Sequence, residues 1–160
     1  MRRLALASLA FALVLTAACA ATQAPSLKTA TVPGHGTISI TVTPNPIHAE
    51  KFTGDQYDFP FEVVLRETGG HPVTIGRITA DVKALGTISV ANETYDTARI
   101  AALGYATTIP PDGELRYRFN PRKSVPDERL FGNVAADVTV DGTDDTGAPA
   151  QARTRVTVER

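Results

Sequence analysis

The sequence predicts an all-β fold, a sandwich of two antiparallel sheets. Three observations lead there. Apolar residues recur at every second position in one segment after another. Clusters of Gly and Pro separate these segments. Beyond the first twenty residues, no long stretch repeats with the 3.6-residue period of a helix.

The longest such stretch is Tyr57–Ala84, YDFPFEVVLRETGGHPVTIGRITADVKA. Tyr57, Phe59, Phe61, Val63 and Leu65 alternate with Asp58, Glu62 and Arg66, so the five apolar side chains share one strand face. Burying one Phe or Leu contributes roughly 1.5–3 kcal/mol, which makes this face a candidate core. Pro60 lacks a backbone donor and marks an edge or a bulge. Gly69-Gly70 is a turn signal, and Pro72 keeps His71 extended. The expectation is a hairpin of two long strands. In the return strand Val73 and Ile75 have one parity, and Ile78, Ala80, Val82 and Ala84 the other. A bulge at Gly76-Arg77 would bring both sets to one face; a crossing between sheets at Gly76 is the alternative.

The other elements follow the same logic. Ile38, Ile40 and Val42 alternate with Ser39, Thr41 and Thr43, an opening strand stopped by Pro44-Asn45-Pro46. Residues 47–56 read as a loop. Ile88 and Val90 give a short strand ending near Asn92-Glu93. For Thr94–Tyr105, strand and short helix both fit. Pro110-Pro111-Asp112-Gly113 is a turn, then Leu115, Tyr117 and Phe119 alternate with Arg116, Arg118 and Asn120. Pro121–Gly132 is a polar connection. Val134, Ala136, Val138 and Val140 form the next strand, Gly142–Gly147 a turn, and Ala150 to Val158 the last strand. The count is about seven or eight strands with little helix, the pattern of an immunoglobulin-like sandwich. Residues 37–160 are read as this one domain, after a leader (1–18) and a tether (19–36).

The leader has Arg2-Arg3, an apolar run Leu4–Thr16 and a small-residue exit at Ala17-Ala18-Cys19. It is too short to span a bilayer and matches an export signal. Cys19 is the one cysteine, so no disulfide can form within the chain. Leu15–Cys19 resembles a bacterial lipobox, with Thr16 where Leu, Val or Ile is usual. The resemblance implies lipidation of Cys19, and Ala20 after it implies the outer membrane. Cleavage of an ordinary signal after Ala18-Cys19-Ala20 is the alternative. The tether would reach about 50 Å at most, enough to lift a domain off a membrane. Losing Arg2 and Arg3 with the leader takes the net charge from −1 to about −3, which argues against general nucleic-acid binding.

From Phe61 onward the chain is similar to small immunoglobulin-like domains of bacterial surface and periplasmic lipoproteins. Val63–Gly70 followed by Pro72–Ile75, and Val138–Gly147, carry the likeness. It implies a spacer, an adhesive unit or a binding platform, and it transfers no catalytic residue.

Three constellations could carry chemistry. Asp141, Asp144 and Asp145 crowd one turn and are the candidate metal ligands, for calcium, which takes several oxygens at about 2.3–2.6 Å. EF-hand spacing is absent, and Asp-rich turns form without a ligand. His35, His48 and His71 have no close sequence partner. His48 and His71 are expected at opposite ends of the sandwich and read as loop histidines without metal. Arg116, Arg118, Arg122, Lys123 and Arg129 form a basic patch suited to anionic lipid or acidic glycan, or balanced by Glu114, Asp127 and Glu128. No nucleophile elbow, zincin motif, phosphate loop or dinucleotide fingerprint occurs, and no cofactor is expected. The sequence thus reads as a non-enzymatic, lipid-anchored envelope module whose partner is an envelope protein or glycan. The alternatives are a calcium- or glycan-binding adhesion module and a secreted, non-lipidated periplasmic binding protein.

Overall fold

A computed structural model describes residues 34–85 and 88–160. The leader, Cys19 and most of the tether lie outside the described residues. The fold is an all-β sandwich with a small third sheet. The first sheet joins β1 (Ile38–Thr43), β5 (Phe61–Glu67) and β9 (Glu114–Phe119), with β5 central. The second runs β2 (Ile47–His48), β12 (Pro149–Glu159), β11 (Val134–Asp144), β6 (Val73–Ala84) and β7 (Ile88–Asp96), with β8 (Thr108–Ile109) also on β6. The small sheet orders β10 (Arg122–Ser124), β4 (Gln56–Asp58) and β3 (Glu50–Thr53). All pairings are antiparallel except that of β2 with β12.

Alternation builds the core. Ile38, Ile40 and Val42 of β1, Val63 and Leu65 of β5, and Tyr117 and Phe119 of β9 are buried on one side. Val73, Ile75, Ile78, Val138, Val140, Ala152 and Val156 meet them from the other sheet in a single cluster. The tyrosines obey the rule that a buried hydroxyl needs a partner. Tyr117 donates to the Ala106 carbonyl at 2.8 Å, and burial pushes its phenol up to about 12.

Two expectations for the stretch Tyr57–Ala84 change. Tyr57 and Leu65 do not share a strand. The chain breaks at Phe59-Pro60, and β4 goes to the small sheet, where Tyr57 packs edge-on against Phe131 at 5.0 Å. Pro60 has no N–H for a ladder, and the Phe59 N–H bonds instead to Pro121 O at 3.1 Å. The second change is larger. β5 and β6 are not a hairpin: β5 pairs only β1 and β9, and β6 pairs β11, β7 and β8. The Gly69-Gly70 turn is an arch that carries the chain across the core, because both strands bury an apolar face and those faces meet across the sandwich.

The bulge stands. Asp141 pairs Arg77 and Gly142 pairs Ile75, leaving Gly76 without a partner, and Val73, Ile75 and Ile78 all come inside. Residues 47–56 hold β2 and β3 rather than a loop. β7 continues to Asp96, which caps the short helix α1 (Thr97–Ala102) by accepting the Arg99 N–H at 2.8 Å. The polar connection holds β10 and a 3-10 helix, Glu128–Asn133.

Leu65 is fully buried at the centre of the first sheet, between Ile40 and Leu115. Leu65→Ala is expected to cost about 2–5 kcal/mol in chemical denaturation. Thr41→Ala on the exposed face should stay within about 0.5 kcal/mol.

Candidate functional site

One end of the sandwich is built around two buried carboxylates. Glu67 ends β5 with the same parity as Val63 and Leu65, so its side chain points inward and is fully buried. Oε1 accepts N–H bonds from Thr37 at 3.0 Å and Gly69 at 2.5 Å. Oε2 accepts from Gly70 and Asp112, each at 2.9 Å. Burial by itself would raise this acid. The four N–H donors outweigh it and hold the carboxyl at about 2. Gly69 has no alternative here: a Cβ would sit 2.1 Å from the His35 carbonyl oxygen.

Asp144 closes β11 beside it. Its side chain accepts from the Thr146 hydroxyl at 2.7 Å and from the N–H groups of Thr146, Ala148 and Gly36 at 2.9, 2.8 and 2.8 Å. The Thr146 hydroxyl, with these amides, keeps it far below the usual carboxylate range. Gly36 is where the N-terminal segment joins the fold. That segment therefore enters at this end and is tied to both sheets.

The three predicted metal ligands face different partners. Asp141 pairs Arg77 at 2.7 Å and accepts from the Gln151 amide at 2.6 Å. Asp144 is taken up by the amides above. Asp145 meets His71 at 3.0 Å. Among the described residues no group of three or more His, Cys, Asp or Glu is placed to hold a metal ion. His35 lies 3.5 Å from Asp144, whereas His48 pairs Glu159 at the opposite end, 3.1 Å away. His48 and His71 are thus at opposite ends, as expected.

The basic patch is interleaved with acids. Glu62 takes Arg116 and Arg118, which lower its carboxyl. Arg122 pairs Asp58 at 2.7 Å and stacks on Phe52, Lys123 pairs Glu93, and Arg129 pairs Asp127. Sequence reading named Glu114, Asp127 and Glu128 as balance. The first two serve, while Glu128 binds Lys51, Tyr57 and Arg160 instead. Glu62, Asp58 and Glu93 were missed, since each reaches its cation across strands.

The far end is less polar. A hollow of about 420 Å³ there is lined by Pro44, Pro60, Phe61 and Phe119, with Glu62 and Arg118 beside it. Leu85, Ile88 and Val90, at the tip of the β6–β7 pair, are more than half exposed.

The chain matches no family model and no curated protein. Solved structures resemble it in fold. Northeast Structural Genomics Consortium target SoR45 aligns with a TM-score of 0.54 at 14% identity, over 76% of this chain and 86% of that one. A Bordetella pertussis protein provisionally named ApaA aligns at 0.48 and 14% identity, over 80% and 97% of the two chains. The CARDB domain of PF1109 from Pyrococcus furiosus aligns at 0.35 and 13%, over 78% and 96%. Such neighbours are small all-β domains.

Glu67 was not singled out in the sequence, although its parity with Leu65 was visible. Its folded pKa of about 2 lies below the ordinary 4.5, so its contribution is complete above about pH 5 and fades as pH falls toward 2. Asp144 acts in the same direction. Unfolding free energy should therefore be level near neutrality and drop below about pH 4.5. Glu67→Gln should cost about 2 kcal/mol or more at pH 7, because an amide turns donors toward donors, and should flatten part of the acid slope. Urea titrations between pH 2 and 7 read both effects.

Proposed function

We propose that this protein is a lipid-anchored, non-enzymatic immunoglobulin-like module of the bacterial cell envelope, held to the outer membrane through Cys19. It acts as a binding or structural unit for an envelope protein or glycan. The observation that carries the reading is the leader, which ends in small residues at the chain's one cysteine. Double acylation there would anchor the chain stably. The point of entry supports it. The N-terminal segment reaches the fold at Gly36, whose N–H is bonded to the buried Asp144. A tether of about 50 Å ending there would hold one end of the sandwich toward the membrane and leave the far end free.

The non-enzymatic reading is supported by the use of the titratable groups. Glu67 and Asp144 accept mainly from backbone amides, and many surface acids pair with Arg and Lys. The same pairing weakens the calcium version of the adhesion reading, since Asp141 and Asp144 are already occupied.

Intact mass and membrane fractionation from the native host test the anchor. The expected mature chain starts at Cys19, is heavier by its acyl chains and sediments with membranes. Cys19→Ala is expected to leave the protein unacylated and mostly soluble. An unmodified wild-type chain in the soluble periplasm would overturn the anchor and make a secreted binding protein the better account.

A further inference from the structure

The fold pairs its charges closely. Among the described residues, every Lys and Arg except Arg66 and Arg155 has a carboxylate within 4.0 Å. Register explains Arg155. It faces Asp137 across the β11–β12 pair, but Lys83 and Arg153 already hold Asp137 at 2.7 and 2.8 Å. Asp81, beside Asp137 on β6, pairs with the same Lys83 at 3.4 Å. Three cations thus stand around two acids, and one positive charge is left over. Arg66 differs in its surroundings. It stands between Ser39 and Glu114 on the outer face of the first sheet and lines neither hollow of the molecule described here.

Arg155 lines a second hollow, of about 370 Å³, where the 3-10 helix meets the start of β11 and the end of β12. That volume lies in the range of small-molecule sites. Alternation turns Arg155, Thr157 and Glu159 to one face of β12. Ala135 faces Thr157 across the ladder, and its small side chain leaves room there. Asn133 borders the same space, and Phe131, Val134 and Val158 supply its apolar part. Glu159 lies about 13 Å along the strand from Arg155 and faces His48 at 3.1 Å. The hollow therefore has a basic end, a neutral hydrogen-bonding middle and an acid at its other end. It lies at the end of the sandwich opposite Gly36, which a tether would leave exposed.

We propose that this hollow binds a carboxylate-bearing sugar, a uronic acid unit of an acidic glycan. The planar fork of Arg155 takes the carboxylate through two parallel N–H bonds. One uncompensated positive charge matches one carboxylate, whereas a phosphate monoester carries about −1.5 to −2 and would stay partly uncompensated. The Asn133 amide and the Thr157 hydroxyl serve the ring hydroxyls, and Glu159 accepts from a hydroxyl at the far side. The apolar side chains meet the C–H face of the ring. The basic patch on β9 and β10 cannot serve in this way, because its Arg and Lys are already held by acids. The inference rests on the reading of the protein as a binding module and names its partner class. It does not depend on acylation of Cys19.

Isothermal calorimetry on the full chain purified from its host, in detergent where it is acylated, tests this. The probes are glucuronate, its neutral methyl ester, glucose 6-phosphate, an oligogalacturonate and an oligoglutamate. Glucuronate is expected to bind at least ~10-fold tighter than the ester, since a hydrogen bond to a charged group is lost with the acid. Arg155→Gln should abolish that difference while the melting temperature holds, because Arg155 makes no ion pair. Arg66→Gln should leave binding unchanged. Equal affinity for acid and ester overturns the proposal, as does no heat with either glucuronate or oligogalacturonate. So does an Arg155→Gln chain that still prefers the acid. Tighter binding of glucose 6-phosphate, or equal binding of oligoglutamate, would also refute the sugar acid, in favour of a phosphate or an acidic peptide. A membrane-anchored chain that binds no uronate loses this site alone. A soluble, unacylated chain that binds it loses only the anchor.

Discussion

A buried negative charge at the rim of the core is the constraint on which this fold depends. Leaving a carboxylate without water is costly unless donors replace it. Glu67 therefore requires the N–H groups of Thr37, Gly69, Gly70 and Asp112 to converge. Those four come from the start of β1, the arch after β5 and the turn before β9. One side chain so fixes where the first sheet begins, how the chain crosses to the second sheet and where β9 starts. Asp144 does the same for the β11–β12 turn and the entry of the N-terminal segment. Four amides fill both oxygens of Glu67, whereas Asp144 takes three donors on Oδ1 and one on Oδ2.

The charges elsewhere tell a related story. The exposed Arg and Lys side chains of β9 and β10 lie between acids on neighbouring strands. Exposed pairs of this kind contribute little stability. Their effect is to cancel the local field, so a patch that is basic when read along the chain is mixed in space. Exposed apolar side chains gather at the far end, where Leu85, Ile88 and Val90 lie at the tip of the β6–β7 pair.

Much of the fold was legible. Alternation placed Ile38, Ile40 and Val42 inside, as it did Tyr117 and Phe119, because period two ties side-chain direction to position. The phase change at Gly76 was legible for the same reason: only an extra residue puts Val73, Ile75 and Ile78 on one face. Pairing was not legible. Val63–Leu65 and Val73–Ile75 looked like two arms of a hairpin, since alternation gives the face of a strand and not its neighbour. Glu67 carries no sequence mark of its own because its donors come from positions 37, 69, 70 and 112. Its even step from Leu65 was the one signal available.

The sequence by itself determined the all-β class, most strand faces, most turns and the change of phase at Gly76. These are local matters of periodicity, backbone freedom and composition. The tertiary structure alone decided that the Gly69-Gly70 turn arches between sheets and that Asp141, Asp144 and Asp145 take separate partners. Each of these depends on which distant segment lies alongside, and contacts between residues thirty to more than a hundred positions apart leave no period in the chain.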